Sequence, residues 1–183
     1  MKIAIACDHA GFNLKEEVKI LLQSQGHDVL DFGTGSEEPC DLPDYIYPAA
    51  LAVSKGKADR GIFIDGVGYG SALIANKISG LYAAVCQDPF CAQLARSHSN
   101  TNVLCIGAKI IGSAIAAEIV NAWMTTEFLC DEEKYKKRVD RVVAISEAHL
   151  KPLFRCEIEK HEQHIDSVIV KSENKQLEIA AAS

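Results

Sequence analysis

The sequence lacks long apolar runs, an excess of basic residues and paired cysteine motifs. No segment approaches the ~18 apolar residues of a membrane span, so a membrane protein is not expected. Lys and Arg number 19 against 25 Asp and Glu. The resulting net charge of −6 argues against nucleic acid as a partner, because neutralising phosphates requires a basic surface. The seven cysteines include no CxxC pair, which favours reduced thiols in a cytoplasmic protein.

A signal peptide is also not expected, since the apolar run that opens MKIAIACDHAGF is too short. With 48% hydrophobic and 24% charged residues, the 183-residue chain has the composition of one ordinary globular domain. We predict a domain over residues 1–149 and a C-terminal extension over 150–183.

Short apolar runs alternate with helical patterns along the predicted domain. Strands are predicted at 2–7, 27–33, 60–65, 81–86 and 102–107. Helices are predicted at 13–24, about 44–55, 88–97 and about 113–126, and another begins at the glycine-rich segment after residue 65 and runs to about 77. Five such units predict a doubly wound, Rossmann-like α/β fold, a five-stranded parallel sheet with helices on both faces. A further helix is predicted at 131–149, whereas 150–183 has little periodicity and ends in what looks like a frayed tail.

The segment FIDGVGYGSALIANK (63–77) ends a strand with an acid and continues with glycines at alternate positions. Gly66, Gly68 and Gly70 predict a tight loop whose backbone N–H groups can bind an anion or an oxyanion. The pattern is GxGxG rather than GxGxxG, and no acid follows about 20 residues later, so a dinucleotide site is a poor match.

Three charged residues follow the carboxyl ends of strands: Asp8, Asp65 and Lys109. Ligands of doubly wound sheets bind at this edge, so these side chains are expected in one crevice. Phosphorelay receiver domains carry a similar triad and are a second candidate class. They usually have paired acids after the first strand and a proline after the lysine, and both are missing here. A receiver would also bind Mg²⁺ and accept phosphate.

Other polar residues each fit two interpretations. Asp8 and His9 suit a substrate contact, but Asp8 equally suits a helix N-cap. His98, at a helix end before the fifth strand, suits either an acid–base catalyst or a capping residue. Lys134, Arg138 and Arg141 share one helix face, which is either an anion-binding or a merely solvated surface.

Several motifs together resemble the ribose-5-phosphate isomerase B family, which includes the two subunits of galactose-6-phosphate isomerase. The matching segments are DHAGFNLKEE (8–17), GHDVLDFGT (26–34), DLPDY (41–45), ADRG (58–61), ANK (75–77), QLARSHSNTNVLCIGAKIIG (93–112), NAW (121–123) and RV (138–139). The resemblance covers roughly residues 1–148, in the order and spacing of the family.

The resemblance implies aldose–ketose interconversion of a phosphorylated tetrose, pentose or hexose, with neither metal nor cofactor. It also implies a homodimer or tetramer whose active sites use residues from two subunits. The implied catalytic residues are Asp65, His98, which helps to open the sugar ring, and Asp8. The implied substrate and phosphate contacts are His9, Gly66, Gly68, Gly70, Ser71, Asn100, Lys109, Lys134 and Arg138.

The chain departs from the family pattern at the loop. Asp65 and Val67 stand where the family usually has the thiol base and a threonine, and Ser71 stands where another branch has a glutamate base. The expected enzyme therefore uses Asp65 as its base on an altered substrate. An Asp at this position also resembles one of the two galactose-6-phosphate isomerase subunits, which pairs with a thiol-bearing one. A subunit that needs a paralogous partner, or a sugar-phosphate-binding pseudoenzyme, is the alternative.

Overall fold

The computed structural model describes residues 1–150 and 155–181, with side chains described for 1–150, 161–178 and 180. Its strands are β1 (Lys2–Cys7), β2 (Asp28–Asp31), β3 (Arg60–Asp65), β4 (Ala83–Val85) and β5 (Val103–Gly107). Its helices are α1 (Phe12–Ser24), α2 (Leu42–Ser54), α3 (Tyr69–Ala75), α4 (Pro89–Ser97), α5 (Ser113–Thr125), α6 (Glu133–His149) and α7 (Arg155–Ala181). A 3₁₀ turn at His9–Gly11 leads from β1 into α1.

The five strands form one sheet in the order β2-β1-β3-β5-β4, and every pairing is parallel. The predicted five-stranded parallel sheet is therefore confirmed. The strand β3 lies at the centre, with Cys7 of β1 beside Ile64 and Gly107 of β5 beside Asp65. The carboxyl ends of β1, β3 and β5 consequently meet at one point of the sheet edge.

Two hydrophobic layers cover the two faces of the sheet, as a doubly wound fold requires. Alternation along β1 sends Ile3 and Ile5 to one layer and Ala4 and Ala6 to the other. The first layer is completed by α1, α4 and α5, with Trp123 of α5 fully buried. The second is completed by α2, α3 and α7. Helices on both faces are thus confirmed.

The predicted helix at 131–149 is confirmed as α6, but it differs from the other helices of the domain. None of its residues is buried. Its apolar side chains Val142 and Ile145 are 51% and 62% exposed. Because an amphipathic helix normally covers its apolar stripe, α6 presents a surface suited to another polypeptide.

Residues 155–181, for which the weak periodicity of the sequence predicted no element, form α7. Ile165 and Val168 of α7 are buried in the second layer. The rings of His161 and His164 make edge contacts with Tyr47 and Phe32, with centroids 4.9 Å and 6.0 Å apart. The helix continues to Ala181, so the expected frayed tail is wrong over 177–181, and residues 182–183 lie outside the described chain.

Polar contacts also join α7 to the edge of the sheet. The Ser172 hydroxyl donates to Asp28 Oδ1 at 2.7 Å, and Lys55 forms an ion pair with Glu162 at 3.0 Å. In the part of the chain that the structure describes, no helix is long and apolar enough to cross a membrane.

Candidate active site

The glycine loop lies at the carboxyl end of the central strand β3, as predicted. Asp65 is the last residue of β3, and α3 begins four residues later at Tyr69. Gly68 has a φ of +85°, a conformation that side chains disfavour. A Cβ added to Gly68 would also lie 3.0 Å from Val85 Cγ1. Glycine at this position therefore allows the loop to close against the ends of β4 and β5.

The Asp65 carboxylate binds the loop that follows it. Its Oδ1 accepts hydrogen bonds from the amides of Val67, at 2.8 Å, and Gly68. Its Oδ2 accepts from the Ser71 amide at 2.8 Å and from the Ser71 hydroxyl at 2.6 Å. Asp65 is only 4% exposed and Ser71 is fully buried. The carboxylate therefore lies inside the turn, among four donors of its own chain.

The neighbours of the loop glycines form the walls of the crevice. A Cβ added to Gly66 would lie 3.6 Å from Cδ of Lys109 and 3.9 Å from Cβ of Ala10. The segment after β5 is fixed to the loop, because the Lys109 amide donates to Gly66 O at 3.0 Å. On the other side, a Cβ at Gly70 would collide with Leu42, the first residue of α2. The predicted meeting of strand ends is therefore observed.

Asp8 and His9 lie at the same edge, after β1. Asp8 Oδ1 accepts from the amides of Ala10, at 3.0 Å, and Gly11, at 3.3 Å, so the N-cap interpretation of Asp8 is confirmed. Its Oδ2 has no hydrogen-bond partner among the described residues. Asp8 is thus both a cap and a carboxylate with free acceptor capacity.

His9 contacts a loop that the sequence analysis did not single out. The Cys40 amide donates to His9 Nδ1 at 3.3 Å, which places the proton of the neutral imidazole on Nε2. The Cys40 Sγ lies 3.9 Å from the same nitrogen. At the end of β1, burial raises the pKa of the Cys7 thiol to about 12. Cys7 is therefore a neutral core residue.

The other predicted residues gather around Tyr135 of α6. The His98 ring stacks on the Tyr135 ring, with centroids 4.0 Å apart and planes 12° apart. The Lys134 ammonium lies 4.6 Å, and the Arg138 guanidinium carbon 5.8 Å, from the centre of the same ring. Asn100 lies two residues after His98 and has a left-handed backbone conformation, with a φ of 49°. Its Oδ1 accepts a hydrogen bond from Arg96 at 3.0 Å.

These residues form two groups at opposite ends of the strands. The carboxyl-edge group comprises Asp8, His9, the loop 65–71 and Lys109. The amino-edge group comprises His98, Asn100, Lys134, Tyr135 and Arg138, and His98 ends α4 just before β5 begins. A five-residue strand such as β5 spans about 16 Å. No contact between described side chains joins the two groups, and we refer to each group as a half-site.

No set of three or more potential metal ligands occurs within the described ranges. A cavity of about 1150 Å³ lies between α7 and the β2 edge and includes His27, Tyr45 and Lys171. Neither half-site lines it. The chemistry-bearing residues therefore lie outside this cavity.

Comparison with known proteins gives a family match and close relatives. The family model described as ribose/galactose isomerase matches residues 3–142, which leaves α7 outside the match. Ribose-5-phosphate isomerase B of Escherichia coli is 42% identical over 146 residues, covering 80% of this chain and 97% of that protein. The D-erythrulose-4-phosphate isomerase of Pectobacterium atrosepticum is 41% identical over 131 residues, covering 70% and 85% of the two chains.

A solved structure has the same fold. The structure of Clostridium thermocellum ribose-5-phosphate isomerase B superposes with a TM-score of 0.78 at 39% identity, covering 81% of this chain and 99% of that chain. The family resemblance of the sequence motifs is thereby confirmed.

Proposed function

We propose that this chain, which belongs to the ribose/galactose isomerase family, interconverts the aldose and ketose forms of a phosphorylated sugar. Two of its relatives are isomerases of sugar phosphates with different carbon numbers, a ribose-5-phosphate isomerase and a D-erythrulose-4-phosphate isomerase. The observation that carries the proposal is the glycine loop at the carboxyl end of β3, with Lys109 and Ala10 against Gly66. Family membership also displaces the receiver-domain alternative.

The reaction requires four functions from the protein. A base removes a proton from one carbon and returns it to the neighbouring carbon. Between these steps the sugar is an enediolate, whose developing negative charge on oxygen must be stabilised. A general acid–base group opens the sugar ring. Cationic groups hold the phosphate and fix the position of the reacting carbons.

The carboxyl-edge half-site supplies enediolate stabilisation through the backbone around Gly66, Gly68 and Gly70. Glycine permits the substrate to approach the loop backbone closely, while the amides of Val67, Gly68 and Ser71 donate to Asp65. Lys109 brings a positive charge beside Gly66, His9 supplies a donor after the neighbouring strand β1, and Ser71 fixes the loop by donating to Asp65. The sequence predicts Asp65 as the base at this edge.

The amino-edge half-site supplies ring opening through His98 and phosphate binding through Arg138 and Lys134, with Asn100 beside them. Tyr135 holds these side chains together, since its ring stacks on His98 and makes cation–π contacts with Lys134 and Arg138. The positive charge on Arg138 suits a phosphate, which accepts hydrogen bonds from a guanidinium in pairs. These groups lie too far from the glycine loop of the same chain to act on one small sugar.

We therefore propose a dimer in which the amino-edge half-site of one copy meets the carboxyl-edge half-site of the other. The unburied helix α6 supports this assembly, since Val142 and Ile145 would otherwise be exposed to water. Tyr69 and Leu73 of α3, beside the glycine loop, are 56% and 66% exposed and suit the same contact. A cytoplasmic location agrees with the free cysteines of the described chain and with a sugar-phosphate substrate.

A second candidate is a subunit that requires a paralogous partner. The observation that favours it is Asp65 in place of a thiol, with Val67, which carries no hydroxyl, two residues later. Such a subunit would contribute His98 and Arg138 to a site whose base belongs to its partner.

Solvent-exchange NMR of the purified protein with tetrose, pentose and hexose phosphates separates these candidates. An active homodimer incorporates deuterium from D₂O at the reacting carbon of one of these sugars and forms the isomer. His98→Ala serves as the control for trace contaminating isomerase. If no sugar phosphate exchanges, the chain alone is not an isomerase, and recovery on adding a paralogue would establish the second candidate.

A further inference from the structure

We propose that Asp65 is a positioning residue that holds the glycine loop in shape, and that a different group accepts the carbon-bound proton. This inference rests on the proposed function for its kinetic consequences. Its structural basis, the hydrogen bonding of the carboxylate, is independent of which sugar is the substrate.

The acceptor capacity of the Asp65 carboxylate is already filled. An ionised carboxyl group offers about four lone-pair sites on its two oxygens. Oδ1 uses two sites for the amides of Val67 and Gly68, and Oδ2 uses two for the amide and hydroxyl of Ser71. The bonds from Gly68 and from both donors of Ser71 are buried, so these three donors cannot turn to water when a bond breaks, whereas the bond from the Val67 amide is part-buried.

These four bonds define the loop. They connect the end of β3 to residues two, three and six positions later, across the turn that contains Gly66, Gly68 and Gly70. A Cβ added to Gly70 would lie 3.5 Å from Asp65 Oδ2, so the carboxylate lies directly against the inner side of the turn. The negative charge of Asp65 stabilises the amides of Val67, Gly68 and Ser71, which point toward it. The loop backbone thereby keeps its shape around the substrate.

A general base needs a lone pair directed at the proton that it removes. Asp65 could direct one at a substrate carbon only by giving up a hydrogen bond to its own loop, and three of the four donors are buried, which makes the loss of their bonds costly. At 4% exposure it also has almost no surface for a sugar to contact. By contrast, two acceptors at the same edge are less engaged: Oδ2 of Asp8 has no described donor, and Sγ of Cys40 has one side-chain contact, with His9 Nδ1 at 3.9 Å.

The decisive variant is Ser71→Ala, which removes one donor and leaves the carboxylate in place. Ser54→Ala is the matched control, since the Ser54 hydroxyl donates to Ser79 O at 2.8 Å, away from the loop. Asp65→Asn forms the stronger perturbation, because its amide nitrogen would face the Ser71 N–H. The probe is 4-phosphoerythronate, whose carboxylate places an anion where the enediolate oxygen forms and whose other end carries a phosphate.

If Asp65 positions the loop, Ser71→Ala lowers kcat and the affinity for 4-phosphoerythronate together, each by about tenfold. Asp65→Asn lowers both further but keeps measurable C–H exchange with solvent, because the base is still present. In this case the C–H exchange with solvent is lost in Asp8→Asn or in Cys40→Ser. The proposal is overturned if Asp65→Asn abolishes C–H exchange at unchanged 4-phosphoerythronate affinity while Ser71→Ala behaves like Ser54→Ala.

Amide hydrogen exchange tests the positioning role of Asp65 separately from the proposed isomerase function. Loop positioning predicts faster exchange of the Val67 and Gly68 amides in Ser71→Ala than in the wild type, with no change in Ser54→Ala. Unchanged rates would refute the positioning role. If the wild-type protein isomerises no sugar phosphate, the proposed function fails, but the amide rates still decide what Asp65 does.

Discussion

The separation of the two half-sites predicts that two inactive variants restore each other. His9→Ala disables the carboxyl-edge half-site, and His98→Ala disables the amino-edge half-site. Each substitution removes a contact to a substrate group that is charged or becomes charged during the reaction. The kcat/KM of each homodimer is therefore expected to fall by about 10- to 100-fold. If each active site combines half-sites from two chains, mixing the two variants creates one intact site per heterodimer.

The size of the recovery follows from symmetry. In a two-fold dimer the two sites are equivalent, and each joins the carboxyl edge of one chain to the amino edge of the other. Random exchange of two variants makes about half of the dimers heterodimers, each with one wild-type site and one doubly altered site. The mixture should therefore reach about a quarter of wild-type activity, well above the sum of the two homodimers.

Kinetics and native mass spectrometry of the mixed proteins test this prediction after subunit exchange by mild denaturation and refolding, or after co-expression. Mixing His98→Ala with Arg138→Ala is the matched control, because both changes lie in the amino-edge half-site and no intact site can form. Heterodimers observed by mass without recovered activity would refute the assignment of the two half-sites to different chains. Recovery in the control pair would refute it equally.

Three further predictions concern phosphate binding, α7 and the thiols. Arg138→Ala should raise KM by about 10- to 100-fold with little change in kcat, whereas Lys137→Ala should not; equal kinetics in both would exclude a phosphate role. Truncation after residue 150 should lower the unfolding free energy in urea by roughly 3–6 kcal/mol, the value of two buried aliphatic side chains, and an unchanged midpoint would contradict the observed packing. Cys7 and Cys86, whose pKa values burial raises to about 12, should resist alkylation of the native protein at pH 8, and rapid labelling of either would contradict their burial.

Most of the fold was predictable because buried parallel strands have a strong sequence signature. The runs KIAIAC and RGIFID are continuous apolar segments, and their ends fix where Asp8 and Asp65 lie. The helix α7 was not predictable in the same way. Its buried apolar positions are few, with Ile165 and Val168 on a long helix that is otherwise rich in charge, so periodicity is weak.

The site was predictable in its position and less so in its geometry. Sequence shows that Asp65 ends a strand before three glycines, but the direction of its oxygens depends on the turn, and Ser71 completes that turn six residues later. The approach of Cys40 to His9 joins residues 31 positions apart through an irregular loop, for which no sequence pattern exists. The sequence left His98 between a capping and an acid–base role, and because it follows α4 just before β5 it lies at the amino edge, away from the glycine loop.

The half-site geometry also determines what a paralogous partner could supply. In a heterodimer, one site joins the glycine loop of this chain to the amino edge of the partner, and the other joins the partner's loop to His98 and Arg138 of this chain. A base carried on the partner's loop therefore serves only the second site, which does not contain Asp65. Activity that depends on such a partner should survive Asp65→Asn, which affects the first site, and should be lost in His98→Ala. A homodimer must find its base within the carboxyl-edge half-site of this chain, so sensitivity to Asp8→Asn or Cys40→Ser, without added partner, would decide for self-sufficient catalysis.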